Sequence, residues 1–357
     1  MTVSYINRIA TAVPPHDVHR AFSRFASTLL DHARDQKLFD RMAARAQIDR
    51  RWSCLAAAPA GADDRIDSEG FYLSGQFPTT ETRMSRYEAE APSLAAQAVR
   101  RLDLGKHRRT VTHLIVTSCT GFYAPGLDFD IVRRCGLNPS VERTIVGFMG
   151  CNAAMNALKL ARHTVRSEAH AKVLIVSLEL CTLHLQETAD LEQVLAFLVF
   201  GDGCAAALVS GTPEGFALDR FETLLAPDSS GEITWRIRDL GFDMRLSGRV
   251  PLSIACALHK GSDRIFAGVD SAAIEMWAVH PGGRSVLDAV ETALALDGSA
   301  LAASREVLRQ NGNMSSASIL FVLKELMDEK RRTGASGCAM AFGPGLTTET
   351  MLFHRAA

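Results

Sequence analysis

Apolar residues recur at helical spacing early in the chain. Phe22, Phe25, Leu29 and Leu30 share one face, and Leu38, Met42 and Ala46 share another further on. The N-terminal third is therefore expected to be helical, with a loop over 59–64 where Pro, Gly and Asp gather. The pattern then changes. Thr112–Ser118, Ala171–Leu178 and Cys204–Ser210 are short, apolar, β-branched runs that suit central strands covered on both faces. Cys151–Val165, rich in Ala and Leu, lies between the first two and reads as a helix. Strand, helix, strand in that order predicts a right-handed βαβ unit.

The C-terminal part repeats the scheme loosely. Glu275–His280, Ser336–Phe342 and Thr348–His354 are expected strands, and Ser285–Leu296, Ala300–Arg309 and Ser315–Arg331 expected helices. Two α/β halves of related layout point to an internal duplication. The boundary falls near Gly211–Pro213 and divides the chain into residues 1–211 and 212–357.

Composition narrows the function classes. The 357 residues are 47% hydrophobic and 22% charged, ordinary values for a globular protein with a sizeable core. The formal net charge of −1 gives no surface for wrapping nucleic acid. There is no apolar run of membrane-spanning length and no signal-peptide pattern, so a cytoplasmic location is expected. The eight cysteines are scattered, with no CxxC pair and no zinc-type spacing. They are expected to be reduced thiols, most of them small buried hydrophobes.

One cysteine has a different setting. In Gly147-Phe-Met-Gly-Cys-Asn152, Cys151 follows a glycine and opens a helix. Gly150 lets the backbone turn tightly and approach a ligand. A helix N-terminus favours a thiolate, with a pKa of roughly 3.5–7.5 against about 8.5 for a free thiol. The plain alternative is a buried structural thiol. Trp277-Ala-Val-His-Pro-Gly-Gly-Arg284 then puts His280 at the end of an apolar strand, where α/β sites assemble. There a histidine can pair with a thiolate or donate to an oxyanion, or simply serve its own loop. Asn311-Gly-Asn-Met-Ser-Ser-Ala317 holds Asn313 before a helix, with Ser315 a candidate cap. Ala341-Phe-Gly-Pro-Gly-Leu-Thr347 suits a tight loop, in a pocket wall or as a plain turn.

Each signal is middling alone. Together and in this order, with Phe-Gly-Asp-Gly at 200–203, they resemble the type III polyketide synthases, the chalcone and stilbene synthase family, from about Ile6 to Phe353. The resemblance implies a thiolase-like α/β fold, a duplicated five-layered α/β/α/β/α core, acting as a homodimeric acyltransferase. It places a catalytic triad on Cys151, His280 and Asn313. Cys151 would carry the acyl group of an acyl-CoA starter. His280 would keep it ionised, and His280 with Asn313 would stabilise the enolate formed as malonyl-CoA loses carbon dioxide. That loss drives the condensation, so no metal, flavin or nicotinamide is implied.

The resemblance also assigns the cavity. Phe200 and Phe242 match aromatic gatekeepers, and Ser315 matches a residue near the pantetheine. Arg41 and Arg45 match two of the basic residues that meet coenzyme A phosphates, while a third, a lysine, falls on Leu38 beside Lys37. Cys119 and Thr120 occupy the Thr-Ser positions of the plant enzymes. Ala124 stands where a methionine reaches into the partner's cavity, and Cys181 and His184 replace two cavity threonines. These departures speak against the plant chalcone reaction with an aromatic starter. Asp239–Ser247 looks like bacterial members, many of which take fatty acyl starters and make alkylresorcinols or alkylpyrones. Ala124 removes bulk, which suits a long chain. The competing readings are a single condensation of the ketoacyl-ACP synthase III type and a non-catalytic acyl-binding relative.

Overall fold

The structure, a computed structural model, describes residues 2–62 and 64–356. The first half runs β1 (Tyr5–Ala12), β2 (His16–Asp17), α1 (His19–Thr28), α2 (Ala33–Arg45), β3 (Trp52–Ser53), α3 (Thr80–Arg101), β4 (His113–Ser118), α4 (Leu127–Cys135), β5 (Glu142–Gly147), α5 (Ala153–Ser167), β6 (Lys172–Leu180), α6 (Leu191–Val199) and β7 (Asp202–Ser210). The second half runs β8 (Phe216–Leu225), β9 (Ile233–Arg238), β10 (Gly241–Leu246), α7 (Val250–Phe266), β11 (Met276–Val279), α8 (Arg284–Ala293), α9 (Ala302–Asn311), α10 (Ser318–Asp328), β12 (Ser336–Gly343) and β13 (Thr347–Arg355). The loop expected over 59–64 is turn and bend where described, and Asp63 lies outside the described residues. No helix among the described residues is long and apolar enough to cross a membrane.

One mixed sheet joins both halves, in the order β11-β12-β13-β8-β1-β7-β6-β4-β5. Its two parts repeat one topology. In the first, β4 and β6 are parallel, β6 and β7 antiparallel, and β7 and β1 antiparallel. In the second, β11 and β12, β12 and β13, and β13 and β8 repeat those relations in the same order. The second part lacks only a counterpart of β5. The two parts meet through the short β1–β8 pairing at Tyr5↔Ala217 and Ile6↔Phe216.

Side-chain alternation turns this sheet into five layers. Val173 and Ile175 of β6, Ala205 and Ala207 of β7, and Ala339 and Ala341 of β12 face a shared central layer with α5 and α10. Leu174, Val176 and Leu178 point the other way, against α1, α3 and α4. Cys338, Met340 and Phe342 point toward α7, α8 and α9. α5 and α10 therefore lie back to back between the halves, and each begins where a chemically interesting segment ends.

Several expectations change. The N-terminal third is not wholly helical, because it opens with the central strand β1, whose main partner β7 is about 200 residues away in sequence. α3 carries its own local signals: the Thr79 side chain accepts from Thr82 N–H at the N-cap, Glu81 sits in the first turn, and Arg100 and Arg101 in the last. The strand before Cys151 is β5, absent from the hydrophobic pattern because four of its six residues are exposed at the sheet edge. The expected βαβ unit is thus β5–α5–β6, flanking β4 on both sides. The helix expected over 315–331 is a 3-10 turn, Ser315–Ala317, followed by the shorter α10.

Candidate active site

Cys151 sits in the 3-10 turn Gly150–Asn152 that leads into α5. Gly150 has φ +76°, and a Cβ there would overlap the ring of Pro344. The close approach that demands glycine is therefore to the C-terminal loop, not to a ligand. Asn313 and Ser315 occupy the equivalent place in the repeat, just ahead of α10, and the two turns pack against each other. Duplication of the fold thus brings two helix entrances to one point.

The thiol of Cys151 is half-buried. Burial pushes it up to about 11, opposed by the Ser315 side chain, reinforced by the charge of Glu179, and opposed again by Asn313. This reverses the direction expected from a helix N-terminus, because desolvation of the thiolate outweighs the terminal dipole. His280, at the end of β11, is 1% exposed, and burial lowers its imidazole to about 3. Neither ring nitrogen has a hydrogen-bond partner among the described residues. A buried imidazole with both nitrogens idle is costly, so it is not the loop-serving histidine of the plain reading.

Asn313 is fixed from all sides. Its N–H donates to Val199 O at 2.7 Å, and its carbonyl accepts from Gly201 N–H at 3.0 Å. Its Oδ1 accepts from Ser315 N–H at 2.8 Å, and Nδ2 donates to Gly282 O at 3.3 Å. The Ser315 contact fixes which end of the amide is oxygen, leaving one Nδ2 proton for the Cys151 sulfur. Ser315 does not cap α10. It holds φ +46° and lines the cavity beside Cys151.

Beneath this site lies a buried carboxylate that the sequence reading missed. Glu179, on β6, accepts from Cys119 N–H at 2.9 Å, Thr120 Oγ1 at 2.8 Å and Ser316 Oγ at 2.6 Å. Burial raises it to about 7 despite these donors. The usable signal was an acid next to the end of an apolar strand, which a buried strand tolerates only with dedicated partners.

Two cavities and one groove meet around these residues. A narrow cavity of about 30 Å³ is lined by Cys151 with Cys119, Thr120, Cys181, Phe200 and Ser315, and by Trp235 and Met244 of the β9–β10 hairpin. A second, also about 30 Å³, shares Cys181, Phe197 and Phe200 with it and continues among Phe22, Leu55, Ile66 and Tyr72. A groove of about 910 Å³ opens on the other side, walled by Arg45, Leu195, Val199, Gly282, Gly283 and Arg284. Val199 and Gly282, both bonded to Asn313, wall the groove, whereas Ser315 and Phe200 wall the cavity. Asn313 therefore stands between the two.

The remaining candidates are not all together. Phe242 and His184 stand behind the cavity wall, stacked at 4.2 Å with planes 16° apart and packed edge-on against Trp235. His184 Nδ1 accepts from Phe242 N–H, so Nε2–H donates to Thr120 O at 2.7 Å, and burial lowers the ring to about 3. Ala124 is exposed and is not among the residues that line the cavity. Arg41 is exposed on α2, one turn before Arg45. Arg284, overlooked in the sequence, lines the groove and donates to Arg45 O at 3.2 Å.

Comparison with known structures assigns the class. The C-terminal type III polyketide synthase domain of Steely1 from Dictyostelium covers 99% of this chain and is itself wholly covered, with TM-score 0.89 at 24% identity. The 1,3,6,8-tetrahydroxynaphthalene synthase of Streptomyces coelicolor A3(2), a bacterial type III polyketide synthase, matches over 100% of both chains with TM-score 0.87 at 27% identity. The fold is thiolase-like, and the protein is a condensing acyltransferase of the type III polyketide synthase class. Residues 4–213 match the N-terminal domain of chalcone and stilbene synthases and residues 219–357 the C-terminal domain, so the chain belongs to that family. Among curated relatives, the alpha-pyrone synthesis polyketide synthase-like Pks18 of Mycobacterium tuberculosis is 31% identical, with 99% of this chain and 91% of the relative covered.

Proposed function

We propose that this chain loads a fatty acyl group from coenzyme A onto Cys151, extends it iteratively with malonyl-CoA, and closes the product to an alkylpyrone or alkylresorcinol. The carrying observation is His280, buried with both nitrogens unpartnered, two residues before Gly282, whose carbonyl accepts from the Asn313 amide. Cys151 sulfur attacks the starter thioester and coenzyme A leaves as its thiol. Malonyl-CoA then enters by the groove, where Arg45 and Arg284, with Arg41 nearby, suit its phosphates. Its carboxylate carbon–carbon bond breaks, carbon dioxide departs, and the electron pair forms an enolate held by N–H donors of His280 and Asn313. The enolate carbon attacks the Cys151 thioester and frees the sulfur for the next round.

The cavity lining supports the starter assignment. Two apolar spaces share Phe197, Phe200 and Cys181, so a chain leaving Cys151 could pass from one to the other, and both would widen to admit it. The Pks18 name favours the pyrone closure. All eight cysteines are unpaired, which fits a cytoplasmic enzyme. The test is a panel of acetyl-, hexanoyl-, lauroyl-, palmitoyl- and p-coumaroyl-CoA with malonyl-CoA and no carrier protein, products identified by mass. Medium and long chains should exceed the aromatic starter by about tenfold or more in kcat/KM. Preference for the aromatic starter would overturn the assignment, and dependence on a carrier protein would favour the ketoacyl-ACP synthase type.

The homodimer belongs to the same proposal. β5 ends the sheet, and Ile145 on it is 47% exposed; Met149, two residues past the strand, and Phe122 and Phe129, between β4 and β5, are exposed as well. An unpaired edge with exposed apolar residues at its end offers a surface for a second strand to cover. A second copy presenting its own β5 would do so symmetrically. Light scattering should therefore give twice the 38.7 kDa chain mass. The double substitution Ile145→Lys, Met149→Lys should shift it to one chain mass, and a monomeric wild-type protein would refute the pairing.

A further inference from the structure

Arg51 is 2% exposed and has no carboxylate partner within ion-pair distance among the described residues. Burial lowers its guanidinium to about 9. A buried, unpaired charge opposes folding, so what it holds matters. One nitrogen, Nη1, donates to Phe197 O at 2.9 Å and to Phe200 O at 2.8 Å. Nε donates to His19 Nδ1 at 3.0 Å, and the backbone N–H to Asp17 Oδ1 at 3.1 Å. The guanidinium lies over the Phe22 ring at 4.3 Å. Burial and Arg51 itself lower His19 to about 4, so its ring stays neutral and able to accept.

The clamp reaches further than Phe200. Phe200 and Asn313 form a parallel bridge, closed by Asn313 N–H to Val199 O and Gly201 N–H to Asn313 O. The glycine beside each residue packs on Arg51. A Cβ on Gly312 would come within 2.9 Å of Arg51 Cγ, and one on Gly201 within 3.5 Å of Arg51 Cβ. Gly312 also has φ +68°, so both the space and the backbone there demand glycine. One side chain thus holds the carbonyls on the cavity side of the bridge and fills the space behind it.

We infer that Arg51 is a positioning residue that sets Asn313 and Phe200 in register across their shared bridge, and so governs decarboxylation of the extender rather than loading of the starter. This rests on the Cys151 and Asn313 roles proposed above. Cys151 hangs from α5, which Arg51 does not touch through any of these contacts. A displaced bridge should therefore misplace the Asn313 amide while leaving the thiol in reach of a starter.

Arg51 also helps line the second cavity, so the experiment compares Arg51→Lys with Asn313→Ala, measuring malonyl-CoA decarboxylation and single-turnover acylation of Cys151 by acetyl-CoA, a starter too short to reach that cavity, on the enzyme as it stands. Lysine keeps the charge and loses the planar fork. The expected result for Arg51→Lys is a fall of about 10–100-fold in decarboxylation with acylation within about threefold of wild type. A purely structural role would lower both with the folded fraction, and that result would sink the inference. Should Arg51→Lys not fold, His19→Leu removes the Nε contact from the half-exposed side. It should show the same split at smaller size, and equal losses would again refute it. The Asn313→Ala control separates the failures: equal loss of both rates there refutes the proposed role of Asn313, whereas a split there without one in Arg51→Lys refutes only Arg51.

Discussion

Cys151→Ala is expected to make no polyketide, a loss of more than about a thousandfold, while keeping its fold. The substitution removes one half-buried sulfur at the head of α5 and leaves the Gly150 turn intact. The site has two further thiols, Cys119 and Cys181, on the same cavity wall. Neither can take over. Burial raises both well above the ordinary thiol range, and the Glu179 charge raises them further. Cys119 Sγ is also engaged, accepting from Gly150 N–H at 3.1 Å. Intact-mass analysis after acyl-CoA exposure should show one acyl adduct in the wild type and none in Cys151→Ala. Malonyl-CoA decarboxylation should persist in the variant, because the action proposed for His280 and Asn313 on the extender does not need the sulfur. An adduct on Cys151→Ala would move the nucleophile to another cysteine, and condensation without any adduct would remove covalent catalysis altogether.

The site was legible where the backbone signals are local. A glycine before Cys151, a Pro-Gly-Gly after His280 and a glycine before Asn313 each mark a turn at the end of a regular element. Such turns gather in space because the fold repeats itself. What was not legible depends on distant partners. β1 reads weakly as a strand because its alternation is imperfect, and β7 is what holds it there. β5 reads as nothing because an edge strand carries Glu142, Arg143 and Thr144 outward. Arg51 looks like a surface residue in Asp49-Arg-Arg-Trp52, and only distant partners, the carbonyls of 197 and 200 with His19 and the Phe22 ring, explain its burial. The thiol of Cys151 shows the same limit in energetic form: local geometry predicts a depressed pKa, and burial by the rest of the chain raises it.

That contest between local geometry and burial decides the second large effect, on His280→Ala. Burial, set against the hydrogen bonds from Ser315 and Asn313, would hold Cys151 as a thiol up to about 11, and burial would hold His280 as a neutral ring down to about 3. Each shift disfavours one isolated charge. Passing the thiol proton to His280 creates both charges together, and their attraction in a poorly solvated site works against both shifts. Wild-type Cys151 should therefore react with iodoacetamide at neutral pH, with an alkylation midpoint below about 8. Alanine at 280 removes the proton acceptor and leaves burial in control. The sign follows: a raised thiol pKa keeps the unreactive form, so the midpoint should climb toward 11, and the rate at pH 7 should fall by about a hundredfold or more. The rate should recover as pH rises, which a misfolded protein would not do. A wild-type midpoint already near 11 would sink the ion pair. His280 would then take the thiol proton only as the starter carbonyl arrives, and Asn313 and Ser315 would be the groups that place the sulfur for that attack.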